Sequence, residues 1–267
     1  MAQAPRSYNT YAFKNASEEA KTQLSQLEAF LDPVTTACLD STGVGPGAVC
    51  LEIGPGGGSV ACWTADRVGP DGRVTAVDIN PVHVPERQNL EVVRHDVRQG
   101  VPGGPYDLIH ARLVLSHIVE RREILKSLVG LLNPGGALAI GEFVRDPVRV
   151  VVAPDDAGAA LYAKVAEAIY DGLSDVHGVD LRWGYDVFAL MAEAGLTDVR
   201  GREHAETWTG GSGGSRFLHS NSFQLEKLIR GGGVSAQELD RYRELVLDPG
   251  FTVKSNQFVN TWGRKPG

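Results

Sequence analysis

The feature that most constrains this chain is a run of buried-strand character that breaks directly into glycine. Val49-Cys50-Leu51-Glu52-Ile53 is followed by Gly54-Pro55-Gly56-Gly57-Gly58-Ser59. A short, nearly continuous apolar run is what a strand covered on both faces requires, as in a parallel sheet. Clustered glycines let the backbone turn tightly from strand to helix, and they let a ligand approach where a Cβ would collide. A helix holding Val60, Trp63 and Val68 follows. The segment therefore predicts the opening strand-loop-helix unit of an α/β fold.

The alternation continues downstream. Arg73 to Val77, Leu90 to Val93 and Tyr106 to His110 read as strands; a helix carrying Ile124, Leu128, Leu131 and Leu132 follows, and Asn133-Pro134-Gly135-Gly136 turns into a strand from Ala137 to Phe143. Such alternation predicts a parallel sheet with helices on both faces. Upstream, Ser17 is a plausible N-cap for a helix with Leu24, Leu27 and Leu31 on one stripe, which Asp32-Pro33 ends or kinks. Beyond Phe143 the rhythm changes to helices near Ala157 to Tyr170 and Tyr185 to Ala194, then strands from Val199 to Trp208 and Gln257 to Trp262, with helices around Phe223 to Ile229 and Ala236 to Leu247 between them. The expected division is an N-terminal lid or helical segment (1–40), a ligand-binding core (41–144), a helical cap insertion (145–184), and a C-terminal part of the sheet and substrate region (185–267).

The loop implies a nucleotide-like ligand without saying which. A diphosphate-binding glycine pattern would need glycine where Ser59 stands, and the carboxylate of Glu52 suits a diphosphate badly. Asp78 ends the second strand 20 residues past Gly58, the spacing that brings a carboxylate to a ribose diol. Asp96 closes the third strand at the same edge. The trio Glu52, Asp78 and Asp96 suits a ligand with an ammonium, a ribose diol and an adenine amino group. An NAD(P)-dependent oxidoreductase is the less favoured alternative that the loop leaves open.

Composition narrows the partners. Lys and Arg number 26 against 33 Asp and Glu, a net charge of −7, which repels phosphate backbones and disfavours nucleic acid. Cys38, Cys50 and Cys62 have no paired spacing and read as small buried side chains in a reducing compartment. No apolar run approaches the ~20 residues of a membrane span and no signal-peptide core is apparent, so a cytoplasmic protein without membrane contact is expected. The histidines have no spacing that fixes zinc, so no metal site is expected, with magnesium held through Asp pairs left open as an alternative.

Five segments together resemble the class I S-adenosylmethionine-dependent methyltransferases: LEIGPGGGS (Leu51 to Ser59), VTAVDIN (Val74 to Asn80), RHDV (Arg94 to Val97), YDLIHARLVLSHI (Tyr106 to Ile118) and LLNPGGALAI (Leu131 to Ile140). They follow the family's order and spacing. The remaining chain, ending VNTWGRKPG, resembles more loosely the small-molecule methyltransferases of bacterial secondary metabolism, antibiotic biosynthesis included. The resemblance implies a Rossmann-like, seven-stranded, mostly parallel sheet with an antiparallel last strand, Gln257 to Trp262, an N-terminal helix and a helical cap. It implies S-adenosyl-L-methionine as cofactor and in-line methyl transfer to a small-molecule acceptor, with a homodimer as an assembly it allows; a relative that keeps the fold without methylating is the alternative.

Carried over by residue, the resemblance has Glu52 orient the loop or meet the methionine ammonium, Gly54 and Gly56 pass beneath the methionyl part, and Asp78 with neighbouring Ile79 hold the ribose. Asp96 and the Val97 backbone would bind adenine, and Ala111 and Arg112 would face the amino-acid part and the acceptor. His117 is the first candidate base, since its ordinary pKa lets a neutral imidazole exist at physiological pH. Tyr11, with Tyr8, is expected as a lid, His110 and His219 as acceptor contacts, and Tyr162, Tyr170 and Trp183 as aromatic walls of the cap.

Overall fold

The computed structural model describes residues 18–267. Its main strands are β1 (Val49–Ile53), β2 (Arg73–Asp78), β3 (Leu90–Arg94), β4 (Tyr106–Arg112) and β5 (Leu132–Val144), followed by a short β6 (Val150–Val152). Then come β7 (Thr197–His204), β8 (Thr207–Thr209), β9 (Thr252–Lys254) and β10 (Gln257–Arg264). Seven of them form one sheet in the order β3-β2-β1-β4-β5-β10-β7, and the other three a small sheet, β6-β9-β8. β1 to β5 pair in parallel, whereas β10 runs antiparallel to both β5 and β7. The chain moves outward from β1 in one direction through β2 and β3, then in the other through β4 and β5. This reversal opens a crevice at the carboxyl ends of β1, β2 and β4, where open α/β sheets bind ligands.

Side-chain alternation along β1 explains how the sheet is filled. Cys50 packs with Val60, Ala65 and Val74 on one face, while Leu51 and Ile53 pack with Leu125, Leu138 and Trp183 on the other. The helices that supply these faces are α1 (Glu18–Ser41), α2 (Ser59–Val68), α3 (Arg121–Gly130) and α5 (Trp183–Glu193). A separate core binds the long α4 (Asp156–His177) to α6 (Gly213–Gln224), α7 (Glu226–Gly231) and α8 (Ala236–Leu245), around Val165, Phe217, Tyr242 and Phe251. No helix among the described residues is long and apolar enough to cross a membrane.

Several local expectations give way to packing. Pro33 lies inside α1, which runs on to Ser41 because Cys38 and Leu39 are buried against the sheet and override the break. The single strand expected from Val199 to Trp208 is two strands, β7 and β8, belonging to different sheets. Three-residue strands carry no readable period, so β6, β8 and β9 have no signature of their own. The helix expected around Phe223 to Ile229 is likewise split between α6 and α7 at Leu225. α4 extends past Tyr170 to His177, capped by the Asp155 carboxylate, which accepts from the Gly158 N–H at 2.6 Å, and closed by Gly178 in a left-handed conformation.

Candidate active site

A cavity of about 690 Å³ occupies the crevice, within the roughly 300–1,000 Å³ range of small-molecule sites. The glycine loop forms part of its floor. Gly54 has φ +67°, and a Cβ there would fall 2.3 Å from Val114 Cγ2; at Gly57 it would fall 2.4 Å from Glu28 Oε1. The loop is therefore pressed between the segment after β4 and helix α1, with space for backbone only.

Glu52, Asp78 and Asp96 all reach the cavity wall. Glu52 is buried and accepts a hydrogen bond from His110 Nδ1–H at 2.7 Å. Asp78, at the end of β2, accepts from the Asn80 N–H at 2.7 Å, and burial raises its pKa against that bond. Asp96 is already engaged: the Arg98 guanidinium grips both of its oxygens, at 3.0 and 2.6 Å, and holds its carboxyl below the usual range. An adenine amino group at Asp96 must therefore share it with Arg98. Gly56, Ile79, Val97 and Arg112 also line the cavity. Arg112 donates to Asp32 Oδ1 at 2.8 Å and to Thr35 Oγ1 at 3.1 Å, so its charge is spent on α1.

Other expected residues lie elsewhere. Ala111 is fully buried in the sheet core, and the wall beyond β4 is made instead by Leu113, in a left-handed conformation (φ +57°), and Val114. His110 is buried behind Glu52 and does not line the cavity. Trp183, 0% exposed, packs in the core beneath β5, and Tyr162 stacks on Tyr242, ring centroids 5.9 Å apart, inside the second core. Both are too well packed to touch a ligand. His219 sits on α6 against Phe223, while Phe217 and Asn221 of the same helix face the cavity. Tyr8 and Tyr11 lie outside the described residues. Tyr170 does line the cavity.

His117 lies on the wall at the end of a short 3-10 turn, Leu115–His117. It is deep in the protein while keeping one side open to the cavity. Burial first, then the neighbouring His177 and Arg121 charges, pushes its pKa down to about 4. The imidazole is thus neutral at physiological pH, but it is also a weaker base than an ordinary histidine.

Beneath that turn lies a group that sequence reasoning missed. Glu142 on β5 is fully buried and accepts from the Ser116 N–H at 3.1 Å and the Ser116 hydroxyl at 2.9 Å. Burial outweighs these bonds and raises its pKa to about 7. The available signal was a carboxylate inside the apolar run Ala139-Ile140-Gly141-Glu142-Phe143. Glu28 was also missed. It faces the glycine loop from α1, its pKa raised by burial and then by Asp32, and Oε1 is buried with no hydrogen-bond partner among the described residues.

The sheet order, with its lone antiparallel strand next to the edge and its cavity at the switch point, defines the class I methyltransferase fold. Solved structures agree on the fold. The phosphoethanolamine N-methyltransferase 2 of Haemonchus contortus, in complex with S-adenosyl-L-methionine, has a TM-score of 0.56 at 13% identity, covering 94% of this chain and 58% of that one. A cyclopropane-fatty-acyl-phospholipid synthase-like protein from Lactobacillus casei ATCC 334 has a TM-score of 0.52 at 17% identity, covering 93% of each chain.

Residues 51–138 match the family model described as a methyltransferase domain. The match covers about a third of the chain, and the fold around it is that of the class I S-adenosylmethionine-dependent methyltransferase family. Methyltransferase str2 of Strobilurus tenacellus is 37% identical over 95 residues, and the chain spans only 34% of its length. The ubiquinone/menaquinone biosynthesis C-methyltransferase UbiE of Pseudomonas entomophila (strain L48) is 25% identical over 178 residues, 60% of this chain and 70% of that one.

The family's cofactor is S-adenosylmethionine, and the residues present fit it. The cradle at Gly54 and Gly57 is one that a Cβ would fill. Of the charged side chains on that part of the wall, both arginines are already paired, leaving carboxylate in excess. That balance suits an ammonium and a diol, and it suits a diphosphate poorly.

Proposed function

We propose that the chain transfers a methyl group to a small-molecule acceptor held between the sheet edge and the cap. The observation that carries this reading is the division of the cavity wall. Residues 23–120 bring the glycine loop and every carboxylate and guanidinium on it, whereas residues 143–256 bring apolar and neutral polar groups, with His177 as their one basic side chain among the described residues. The first half suits a charged cofactor and the second an acceptor. When bound, S-adenosylmethionine supplies an electrophilic methyl on a sulfonium.

The chain's own part is to bind, orient and exclude water. Glu52 serves the methionine ammonium or the loop beside it, Asp78 and Ile79 serve the ribose, and Asp96 with Val97 serves adenine. Alignment of an acceptor atom within about 3–3.5 Å of the reacting carbon supplies much of the rate. His117, held neutral, accepts a hydrogen bond from the acceptor and so orients its lone pair, with transient proton acceptance as its limit at so low a pKa. The looser resemblance of the C-terminal segment supports an acceptor from secondary metabolism.

Calorimetry with S-adenosylhomocysteine, followed by transfer of labelled methyl from the cofactor to candidate acceptors, tests this reading. Binding together with acceptor-dependent transfer is expected. Absence of binding refutes it; binding with no transfer to any acceptor favours a non-methylating relative.

A further inference from the structure

Two imidazoles from separate elements line the cavity, and their unlike settings bear on the acceptor, an inference that rests on the methyltransferase reading. His117 ends the turn after β4, and His177 is the last residue of α4. They lie close enough for the charge of His177 to be felt at His117. His117 is deep in the protein, whereas His177 is half-buried beside the exposed Asp175 and Val176 and keeps contact with water. A helix C-terminus also favours a positive imidazole, because the carbonyls of the last turn carry partial negative charge.

Methylation of a hydroxyl releases a proton. The acceptor oxygen forms a bond to the methyl carbon, the electron pair of the breaking S–C bond returns to sulfur, and the O–H proton must pass to a base. His117 is a poor final holder: with its pKa at about 4 it stands roughly six pH units below a phenol, a factor of about 10⁶ against transfer. His177 has what His117 lacks, a place that favours positive charge and contact with water. The charged groups around the pair leave the role to it. Arg121 is tied to Asp180 at 3.0 Å and, as a guanidinium, has no proton to exchange in the working range. Glu142 lies beneath the turn, bonded to Ser116, and does not line the cavity. Glu120 lines it but is exposed, and among the described residues no Asp or Glu reaches the cavity from the cap side. A cationic amine therefore finds no counter-charge on that side. An aliphatic alcohol, a far weaker acid than a phenol, is beyond the reach of an imidazole.

We propose that the acceptor is an acidic hydroxyl compound, a phenol or an enol, and that His177 receives the proton it loses, with His117 as the relay. The proton leaves the acceptor oxygen for a ring nitrogen of His117, passes to a ring nitrogen of His177, and is released from there to water. His177 acts on the acceptor through His117, so its imprint is on the ionisation of the bound hydroxyl.

The test uses the full chain saturated with S-adenosylhomocysteine and, as probe, 4-nitrophenol, whose phenolate is coloured and whose neutral form is nearly colourless. Followed by absorbance with the loaded protein in excess, bound 4-nitrophenol is expected to ionise at least about one pH unit below the free compound, a tenfold shift in its acid constant. In His177→Gln the shift should shrink to within about twofold, with unchanged calorimetric affinity for S-adenosylhomocysteine showing that the fold and cofactor half are intact. If bound 4-nitrophenol ionises at the same pH as the free compound or higher, if the loaded protein binds none of it, or if His177→Gln keeps the full shift, the acceptor class and the role of His177 are wrong while the methyltransferase reading stands. If S-adenosylhomocysteine itself fails to bind, the methyltransferase reading falls and the acceptor class with it.

Discussion

Replacing Glu142 by glutamine isolates the largest buried charge question in the site. The wild-type carboxyl is fully buried, and its pKa rises from 4.5 to about 7 on folding. Between those pH values the folded chain holds a proton that the unfolded chain has released. The stabilisation is therefore fully present below pH 4.5 and is lost as pH rises to about 7. At about 1.4 kcal/mol per pH unit, the change amounts to roughly 3 kcal/mol. Glutamine carries no proton to exchange. Its amide oxygen can accept one of the two Ser116 donors, and its NH₂ cannot accept the other, a loss of about 1 kcal/mol that does not vary with pH.

Urea denaturation of both proteins at half-unit steps from about pH 4 to pH 8.5 yields the difference in stability, in which the titrations common to both cancel. Wild type should be the more stable near pH 4.5, and its advantage should shrink by roughly 3 kcal/mol by pH 8, reversing sign on the way. A difference that stays flat to within about 0.5 kcal/mol refutes the assignment of Glu142 as a carboxyl kept neutral by burial.

Four further outcomes are expected. Asp78→Ala should weaken S-adenosylhomocysteine binding by about 1–3 kcal/mol in calorimetry through loss of charge-assisted hydrogen bonds, and unchanged affinity would show the ribose assignment to be wrong. Gly54→Ala forces a Cβ 2.3 Å from Val114 Cγ2 at φ +67°, so cofactor affinity should fall by at least about tenfold. His117→Ala should lower turnover by about 10²-fold while leaving cofactor affinity unchanged, and a fully active variant would return the residue to a packing role. Trp183→Ala should cost about 3–5 kcal/mol in urea denaturation, as the removal of a core side chain does; near-wild-type stability would contradict its placement in the core.

How much of this was legible in the sequence depends on the range of the interaction. β1, the glycine loop and β2 were readable because strand, turn and helix are neighbours in the chain, and their side-chain chemistry is set locally. Asp78 could be singled out because its distance from the loop is fixed by one intervening helix. Aromaticity alone points Trp183 and Tyr162 to the cavity wall, yet nothing in their local sequence says which side of a helix the core will claim. His110 shows the same limit: its partner Glu52 stands on the adjacent strand, 58 residues away. Helix α1 was expected to pack, but its Leu24 and Glu28 meet the glycine loop only through a fold-wide contact. Glu142 could have been questioned, since a carboxylate inside an apolar strand demands an explanation.

The contacts between α1 and α6 bear on any attempt to trim this protein. Gln23 bonds to both Asn221 and Gln224, and Ser220 donates to Gln26 at 3.0 Å, joining positions nearly two hundred residues apart beside the cavity. The segment that matches the methyltransferase-domain model, 51–138, ends before any of the cap residues and begins after Glu28. Expressed alone it would present its acidic rim as an open ledge to bulk water, with no roof and no second wall. The domain boundary that similarity draws therefore cuts through the chamber itself.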